Sequence, residues 1–297
     1  MKILKDIIYG IDLDSIKGDT NLIIKSIEFD SRKVVKGSLF VAIKGDNFDG
    51  HAFIGKAIEN GAFAVIYNDY IFKDEKITCI KTPNTRKSLS IAASNFYENP
   101  SKKIKLVGIT GTNGKTTVAS ILFNLFKKAG FKSGLISTIS IQYAGVEVES
   151  HQTTPDSKKI NEVLYEMAEN KIEFCFMEVS SHGIDQDRIN GLKFYCGVFT
   201  NITRDHLDYH KSFSSYRNVK KKFFDNLTKD SFAIINADDK NSKIMVQNCL
   251  SKIKTFGIKN LADNNAKILE IDFSGMLLKI NSQEFWTPLI GKFNASN

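Results

Sequence analysis

The stretch Leu106-Val-Gly-Ile-Thr-Gly-Thr-Asn-Gly-Lys-Thr-Thr117 constrains this chain more than any other. An apolar run from Ile104 to Ile109 enters a polar turn, Thr110 to Gly114, and a helical pattern leaves it. Of the pattern G-x-x-x-x-G-K-[ST], the first glycine stands one position early, at Gly108. Gly114, Lys115 and Thr116 fit, with Gly111, Thr112 and Asn113 inside the loop and Thr117 after it. Backbone N–H groups in such a loop converge on an anion, and the helix dipole adds partial positive charge. Lys115 can reach the terminal phosphates of a nucleotide, and the Thr116 hydroxyl can bind the Mg²⁺ that travels with them. Val118, Ile121, Leu122, Leu125 and Ala129 recur at helical spacing, with Gly130 where a C-cap belongs. Strand, Gly-Lys-Thr and helix in succession outweigh the alternative of a glycine turn with an incidental lysine.

A chain of 297 residues has room for about two domains. The polar, proline-bearing Glu98-Asn-Pro-Ser-Lys-Lys103 reads as the linker. Residues 1–98 then form a small α/β domain, and 99–297 a mostly parallel α/β domain around the phosphate loop. The formal charge of +8 is spread along the chain among acids, with no RNA-reading pattern of aromatic and basic residues. A bland lysine-rich composition is the simpler account, with some benefit for anionic substrates such as nucleotides. Cys175 and Cys196 lie in apolar runs and read as buried thiols, neither metal ligands nor disulfide partners. No signal peptide or membrane-spanning stretch is evident, so a soluble, cytoplasmic enzyme is expected; a monomer is the expected state.

In the first domain, Asn21 to Phe29 and Ser38 to Ile43 read as strands, Ala52 to Asn60 as a helix stopped by Gly61. Ala62 to Tyr67 and Ile77 to Lys81 are further strands, and Thr85 to Tyr97 a helix. Asp30-Ser31-Arg32 ends an apolar run, where loops of open sheets carry ligands; an ordinary turn is the simpler account. In the second domain a strand over Ser133 to Ser140 precedes a hairpin around Tyr143-Ala-Gly145. The polar loop His151-Gln-Thr-Thr-Pro-Asp156 leads to a helix ending near Asn170. Ile172 to Met177 has the apolar character of a buried parallel strand and delivers Glu178 at its end. A carboxylate there, opposite a phosphate loop, is placed to hold Mg²⁺; a strand-end surface charge is the alternative, which the phosphate loop upstream outweighs.

Phe194 to Thr200 is another buried strand, leading into Asp205-His-Leu-Asp-Tyr-His210. No cysteine stands near these histidines in sequence, which favours a phosphate-linked Mg²⁺ site over a closed zinc site. The helix from Ser215 to Leu227 carries an apolar stripe of Tyr216, Val219, Phe223, Phe224 and Leu227. Lys220 falls on that stripe, while Lys221 and Lys222 point away. A buried lysine loses its charge more readily, and a neutral amine near Mg²⁺ can take up CO₂ as a carbamate. From spacing alone, a lysine snorkelling from the core edge is the simpler account. Beyond Asn260 the chain alternates apolar and polar residues, as an antiparallel region would.

Taken in order, these motifs resemble the Mur ligases of bacterial cell-wall synthesis, in particular the branch adding the third residue to UDP-N-acetylmuramoyl-L-alanyl-D-glutamate. The matching stretches include Asp30-Ser-Arg32, Asp49-Gly-His51, Gly111 to Thr117, Thr153-Thr-Pro155, Glu178 to Gly183, Gln186, Arg188, Asp205 to His210, Lys220 and Gly291 to Asn297. The resemblance implies a UDP-binding first domain and an ATP-binding second one. It implies that Ser31 contacts uridine, with Asp46, Asn47 and Phe48 also near UDP. Thr153, Thr154, Ser180, Gln186 and Arg188 would hold the muramoyl-dipeptide. Thr116, Glu178, His206 and Lys220 as its carbamate would bind Mg²⁺, and Asn294 and Asn297 would lie near adenine. The implied reaction is ATP-dependent amide formation through an acyl phosphate, with meso-diaminopimelate or L-lysine as the incoming amino acid. Members of the family continue into a third, Rossmann-like domain that holds this amino acid. Residues 1–297 are therefore expected to bind the UDP substrate, with little ligation. A folylpolyglutamate-type ligase and a non-catalytic binding module are the competing readings.

Overall fold

A computed structural model describes residues 1–45, 48–69 and 77–297. The chain folds as two units. The first comprises Met1–Lys103, Asp156–Glu166 and Gln186–Leu192, and the second Ile104–Pro155, Met167–Asp185 and Lys193–Asn297.

In the first unit, alternating side chains make a sheet that is apolar on both faces. Its five strands run in the order Ser15–Lys17, Thr78–Lys81, Ala62–Tyr67, Ser38–Val41, Ser26–Glu28, all parallel except the first. Leu39, Val41, Ala64 and Ile66 join Leu4, Ile7, Leu89 and Ala92 on one face. Phe40, Ala42, Val65 and Tyr67 join Ile54 and Ala57 on the other. Helix Thr85–Phe96 starts where the Asn84 side chain accepts from Lys87 N at 3.0 Å. The single strand expected over 21–29 is two. Ile23–Ile24 pairs antiparallel with Lys2–Ile3, and Ser26–Glu28 pairs parallel with Ser38–Val41. The apolar pattern runs through both, so only the change of partner at Lys25 marks the break. Within this unit Lys158 reaches the buried Glu28 carboxylate at 2.8 and 2.9 Å.

The second unit is built on an eleven-stranded sheet. Seven neighbouring strands are parallel, in the order Ser133–Ile136, Phe174–Glu178, Lys105–Thr110, Cys196–Phe199, Phe232–Asn236, Lys252–Gly257, Asn264–Ile271. Antiparallel strands extend both edges: Ser140–Tyr143 and Val146–Glu149 on one, Met276–Ile280 and Gln283–Thr287 on the other. The phosphate-loop strand thus lies between two strands that come later in sequence. Its carboxyl end meets theirs, and such crossover points are where open α/β sheets bind ligands. Helix Lys115–Lys128 packs Val118, Ala119 and Phe123 over Val107, Ile109, Phe176 and Val198. Cys175 and Cys196 are buried, as their apolar surroundings imply, and burial pushes the Cys196 thiol up to about 12.

One expectation fails instructively. The strand foreseen over 133–140 stops at Ile136, and a turn at 137–139 reverses it into an antiparallel partner. Ser137 makes that turn: its hydroxyl donates to Ser140 O at 2.9 Å and accepts from Ser140 N at 3.1 Å.

Gly108, the misplaced first glycine of the loop pattern, serves packing instead. A Cβ there would lie 2.6 Å from Phe223 Cζ and 2.7 Å from Phe194 Cε1. Gly108→Ala is expected to lower stability by about 1–3 kcal/mol through overpacking. Urea midpoints of the two proteins measure this, and equal midpoints would refute it. Among the described residues, no helix is long and apolar enough to cross a membrane.

Candidate functional site

The phosphate loop is a fixed cradle in the second unit. Gly114 has φ 86°, a left-handed conformation that a residue with a side chain adopts at a cost. It opens the helix at Lys115, whose first-turn N–H groups have no intrahelical acceptors. The loop is pinned to the segment after strand Cys196–Phe199. Thr112 N donates to Asn201 O at 2.8 Å, and Asn113 N to Asn201 Oδ1 at 3.0 Å. Thr200 Oγ1 donates to Asn113 O at 2.7 Å. Thr112 Oγ1 and Tyr216 OH are 3.1 Å apart. Thr117 is half-buried in the first turn of the helix.

Lys115 folds back over this loop. Its Nζ donates to Gly111 O at 3.1 Å and to Thr112 O at 2.8 Å. Burial pulls its pKa down, with Glu178 and Asp205 acting in the opposite direction. Lys220 meets the same carbonyl: its Nζ donates to Gly111 O at 2.9 Å, and it stands 4.9 Å from the centroid of the Tyr216 ring. Lys220 is only 1% exposed, so it does not snorkel. Its pKa lies well below the ordinary 10.5, chiefly through burial and then through Lys115, against the pull of Asp205. Helix Phe213–Asp225, capped by Ser212, carries it inward beside Tyr216, Phe223 and Phe224.

Glu178 is fully buried at its strand end. Thr116 Oγ1 donates to its Oε2 at 3.0 Å, and Thr138 N to its Oε1 at 2.7 Å. Its backbone carbonyl accepts from Thr154 Oγ1 at 2.9 Å, and Thr154 Oγ1 accepts in turn from Ser180 N at 2.9 Å. Ser180 Oγ accepts from Gly183 N, and Thr153 Oγ1 lies 3.1 Å from Thr138 Oγ1. One residue thus joins the phosphate loop to the Thr153-Thr154 loop, its carboxylate meeting Thr116 and its backbone carbonyl Thr154.

His206 has φ 50°, and its Nε2 lies 3.5 Å from Asp205 Oδ2. Its ring stands edge-on to His182 at 5.1 Å, and His182 also packs on Tyr209 and His210. His210 is buried with Nε2 unpartnered, and burial pulls its pKa down. Asn297 lies against Gly114, its Oδ1 where a Cβ on that glycine would clash. Asn297 Nδ2 donates to Asn294 Oδ1 at 2.9 Å. Of the two asparagines named from sequence, Asn297 therefore stands beside the phosphate loop, and Asn294 is hydrogen-bonded to it.

A magnesium ion takes hard oxygen donors, characteristically one or two carboxylates completed by substrate phosphates and water. The Thr116–Glu178 oxygen pair fits that demand. Among the described residues, no three His, Cys, Asp or Glu side chains group as a ready metal cage. The other two residues foreseen as ligands are engaged elsewhere, His206 toward Asp205 and Lys220 on Gly111 O.

In the first unit, Ser31 is buried, its carbonyl accepting from Asn60 Nδ2 at 2.8 Å. Asp30 and Arg32 pair beside it at 2.8 Å. Phe48 is exposed, while Asp46 and Asn47 lie outside the described residues. Gln186 Oε1 accepts from Arg188 at 2.7 and 3.1 Å.

Reading the sequence missed Thr138, Asn201 and Tyr216. Tyr216 sits on the apolar stripe and reads as core. Thr138 falls inside the expected strand, and only Ser137 as a turn-former offered a signal.

Residues 109–297 match the Mur ligase middle domain, and residues 23–97 match the Mur ligase family, catalytic domain. A curated relative from Cytophaga hutchinsonii, named UDP-N-acetylmuramoyl-L-alanyl-D-glutamate–2,6-diaminopimelate ligase, is 45% identical over 99% of this chain and 61% of its own. One of the same name from Phocaeicola vulgatus is 47% identical over 99% of this chain and 61% of its own. The chain therefore spans about 61% of the length of these relatives. A solved structure of a ligase of that name superposes with a TM-score of 0.82 at 25% identity, covering 99% of this chain and 61% of that one. A Thermotoga maritima MurF ligase solved with ADP shares the fold, with a TM-score of 0.61 at 20% identity over 94% of this chain and 62% of that one.

Proposed function

We propose a function that proceeds from the family: the chain belongs to the Mur ligases, and it carries the nucleotide and acceptor sites of an ATP-dependent amide ligase. Its substrate is UDP-N-acetylmuramoyl-L-alanyl-D-glutamate, and the amino acid added is 2,6-diaminopimelate, as the names of its relatives say of them. The observation that carries the reading is Glu178, whose side chain meets the phosphate-loop hydroxyl of Thr116 while its carbonyl meets Thr154. A γ-phosphate held by the loop would then face a carboxylate held by the Thr153-Thr154 loop.

In this reading, Lys115 and the loop amides hold the terminal phosphates and neutralise charge as the phosphoryl group transfers. Thr116 and Glu178 would hold Mg²⁺, with His206 and carbamylated Lys220 reorganised toward it; the ion supplies further charge neutralisation. The D-glutamyl carboxylate attacks the γ-phosphorus, ADP leaves, and an acyl phosphate results. The amine of the incoming amino acid attacks its carbonyl carbon and gives a tetrahedral intermediate. Phosphate departs with the C–O electron pair, the nitrogen loses a proton, and an amide remains. Ser31, Asp46, Asn47 and Phe48 would contact the UDP part, and Ser180, Gln186 and Arg188 the muramoyl-dipeptide. Asn294 and Asn297 would face adenine. The reaction would run in the cytoplasm, where ATP and UDP-linked precursors are found.

Isothermal titration with UDP-N-acetylmuramoyl-L-alanyl-D-glutamate and with ADP·Mg²⁺ tests both sites, and hydroxylamine trapping tests acyl-phosphate formation. Binding of folates in place of the muramoyl substrate would overturn the assignment. Glu178→Gln keeps the shape and removes the negative charge. It is expected to weaken ADP binding about tenfold in Mg²⁺ and little in EDTA. Equal losses in the two media would remove Glu178 from the cation site.

A further inference from the structure

Thr138 stands at the tip of the turn that Ser137 fixes. Strand Ser133–Ile136 runs parallel to Phe174–Glu178, with Ile136 opposite Met177. That register carries the next residues of the turn to the end of the strand bearing Glu178. Thr138 N donates to Glu178 Oε1 at 2.7 Å, and Thr138 Oγ1 lies 3.2 Å from Oε2. The same hydroxyl is 3.1 Å from Thr153 Oγ1. Oε2 also accepts from Thr116 Oγ1 at 3.0 Å.

The terminal torsion of a glutamate is broad, so hydrogen bonds decide where its oxygens point. A Thr116 hydroxyl that gives a lone pair to a nucleotide-bound cation answers to that cation's position as well as to Glu178. Oε2 keeps the Thr138 hydroxyl as its other partner, and Oε1 keeps the Thr138 amide. We propose that Thr138 is a positioning residue: its hydroxyl holds the Glu178 carboxylate toward the cation and ties the Thr153 loop to that carboxylate. This rests on the nucleotide reading of the site. Partners of metal-holding carboxylates that do not themselves touch the metal typically contribute 10–100-fold to its affinity.

Thr138→Val deletes the hydroxyl but keeps the β-branched shape and the backbone N–H; Thr138→Ser keeps the hydroxyl. Thr138 is exposed in a turn, so both melting temperatures are expected within about 2 °C of the unsubstituted chain. If Thr138→Val does not fold, Thr138→Ala carries the same comparison. The measurement is isothermal titration of ADP in saturating Mg²⁺ and in EDTA. Thr138→Val is expected to raise the Kd about tenfold in Mg²⁺ and to leave it within about twofold in EDTA. Thr138→Ser is expected to restore the Mg²⁺ value to within about twofold. An unchanged Kd for Thr138→Val in Mg²⁺, or an equal loss in both media, would overturn the assignment of Thr138 alone. An unsubstituted chain with no Mg²⁺-dependent ADP binding would overturn the nucleotide reading, and Thr138 with it.

Discussion

Lys115→Met is expected to weaken ADP binding to residues 1–297 by about 100-fold or more, the scale of losing a charged donor at a phosphate site. The ammonium lies on two carbonyls of its own loop, Gly111 O at 3.1 Å and Thr112 O at 2.8 Å. Carbonyl dipoles hold a cation less strongly than a polyphosphate does, so an arriving nucleotide has the better claim on it. Burial already pulls the lysine pKa down, which raises the gain from pairing with an anion. Methionine retains the length and packing and deletes only the charge. Titration calorimetry measures the loss, and circular dichroism verifies the fold. An affinity within threefold of the unsubstituted chain would place the phosphates elsewhere.

Lys220→Met is expected to do two opposite things: remove ligation in a full-length ligase carrying the change, and raise the stability of residues 1–297 at neutral pH. Burial holds the folded-state pKa of Lys220 well below its ordinary 10.5. Between those two values, the unfolded chain binds a proton that the folded chain does not. The stability of the unsubstituted chain therefore climbs with pH through that window and levels off above 10.5. Methionine has no such proton, so its advantage is greatest at low pH and narrows as pH rises toward 10. Gly111 O, left by Lys220, retains Lys115 as a donor. Each kcal/mol gained appears as about 2–4 °C in melting temperature for a domain of this size. Thermal melts of both proteins from pH 7 to 10 decide the matter, and parallel pH curves would show that Lys220 does not titrate on unfolding. In a full-length ligase carrying the same change, retained turnover would separate Lys220 from the chemistry.

Much of the fold was legible because its signals are local. The run Ile104 to Ile109, the glycines that follow and the helical spacing after Lys115 reach over a dozen residues. Their energetics are those of a strand and a helix in any protein. Lys220 was legible for the same reason, since helical spacing alone puts it on the stripe of Tyr216, Phe223 and Phe224. The strand breaks at Lys25 and Ser137 were not. Apolar alternation runs through both, and only a change of partner strand ends the element. The segments 156–166 and 186–192, grouped with the first unit, carry no local mark of that either.

What the sequence alone determined, then, is the phosphate loop, the buried strand that ends in Glu178, the place of Lys220 on an apolar helix stripe and the family they indicate. Each depends on neighbours close in the chain, where propensity and periodicity act. What only the tertiary structure decided is which groups those residues meet. Glu178 meets Thr116, Thr138 and Thr154 because parallel register brings three strand ends and a turn together. Lys115 and Lys220 share Gly111 O across about a hundred residues of chain because the helix of Lys220 packs beside the strand end. Such meetings cost loop entropy that no local pattern records, and the burial of the whole sheet supplies the free energy that offsets it.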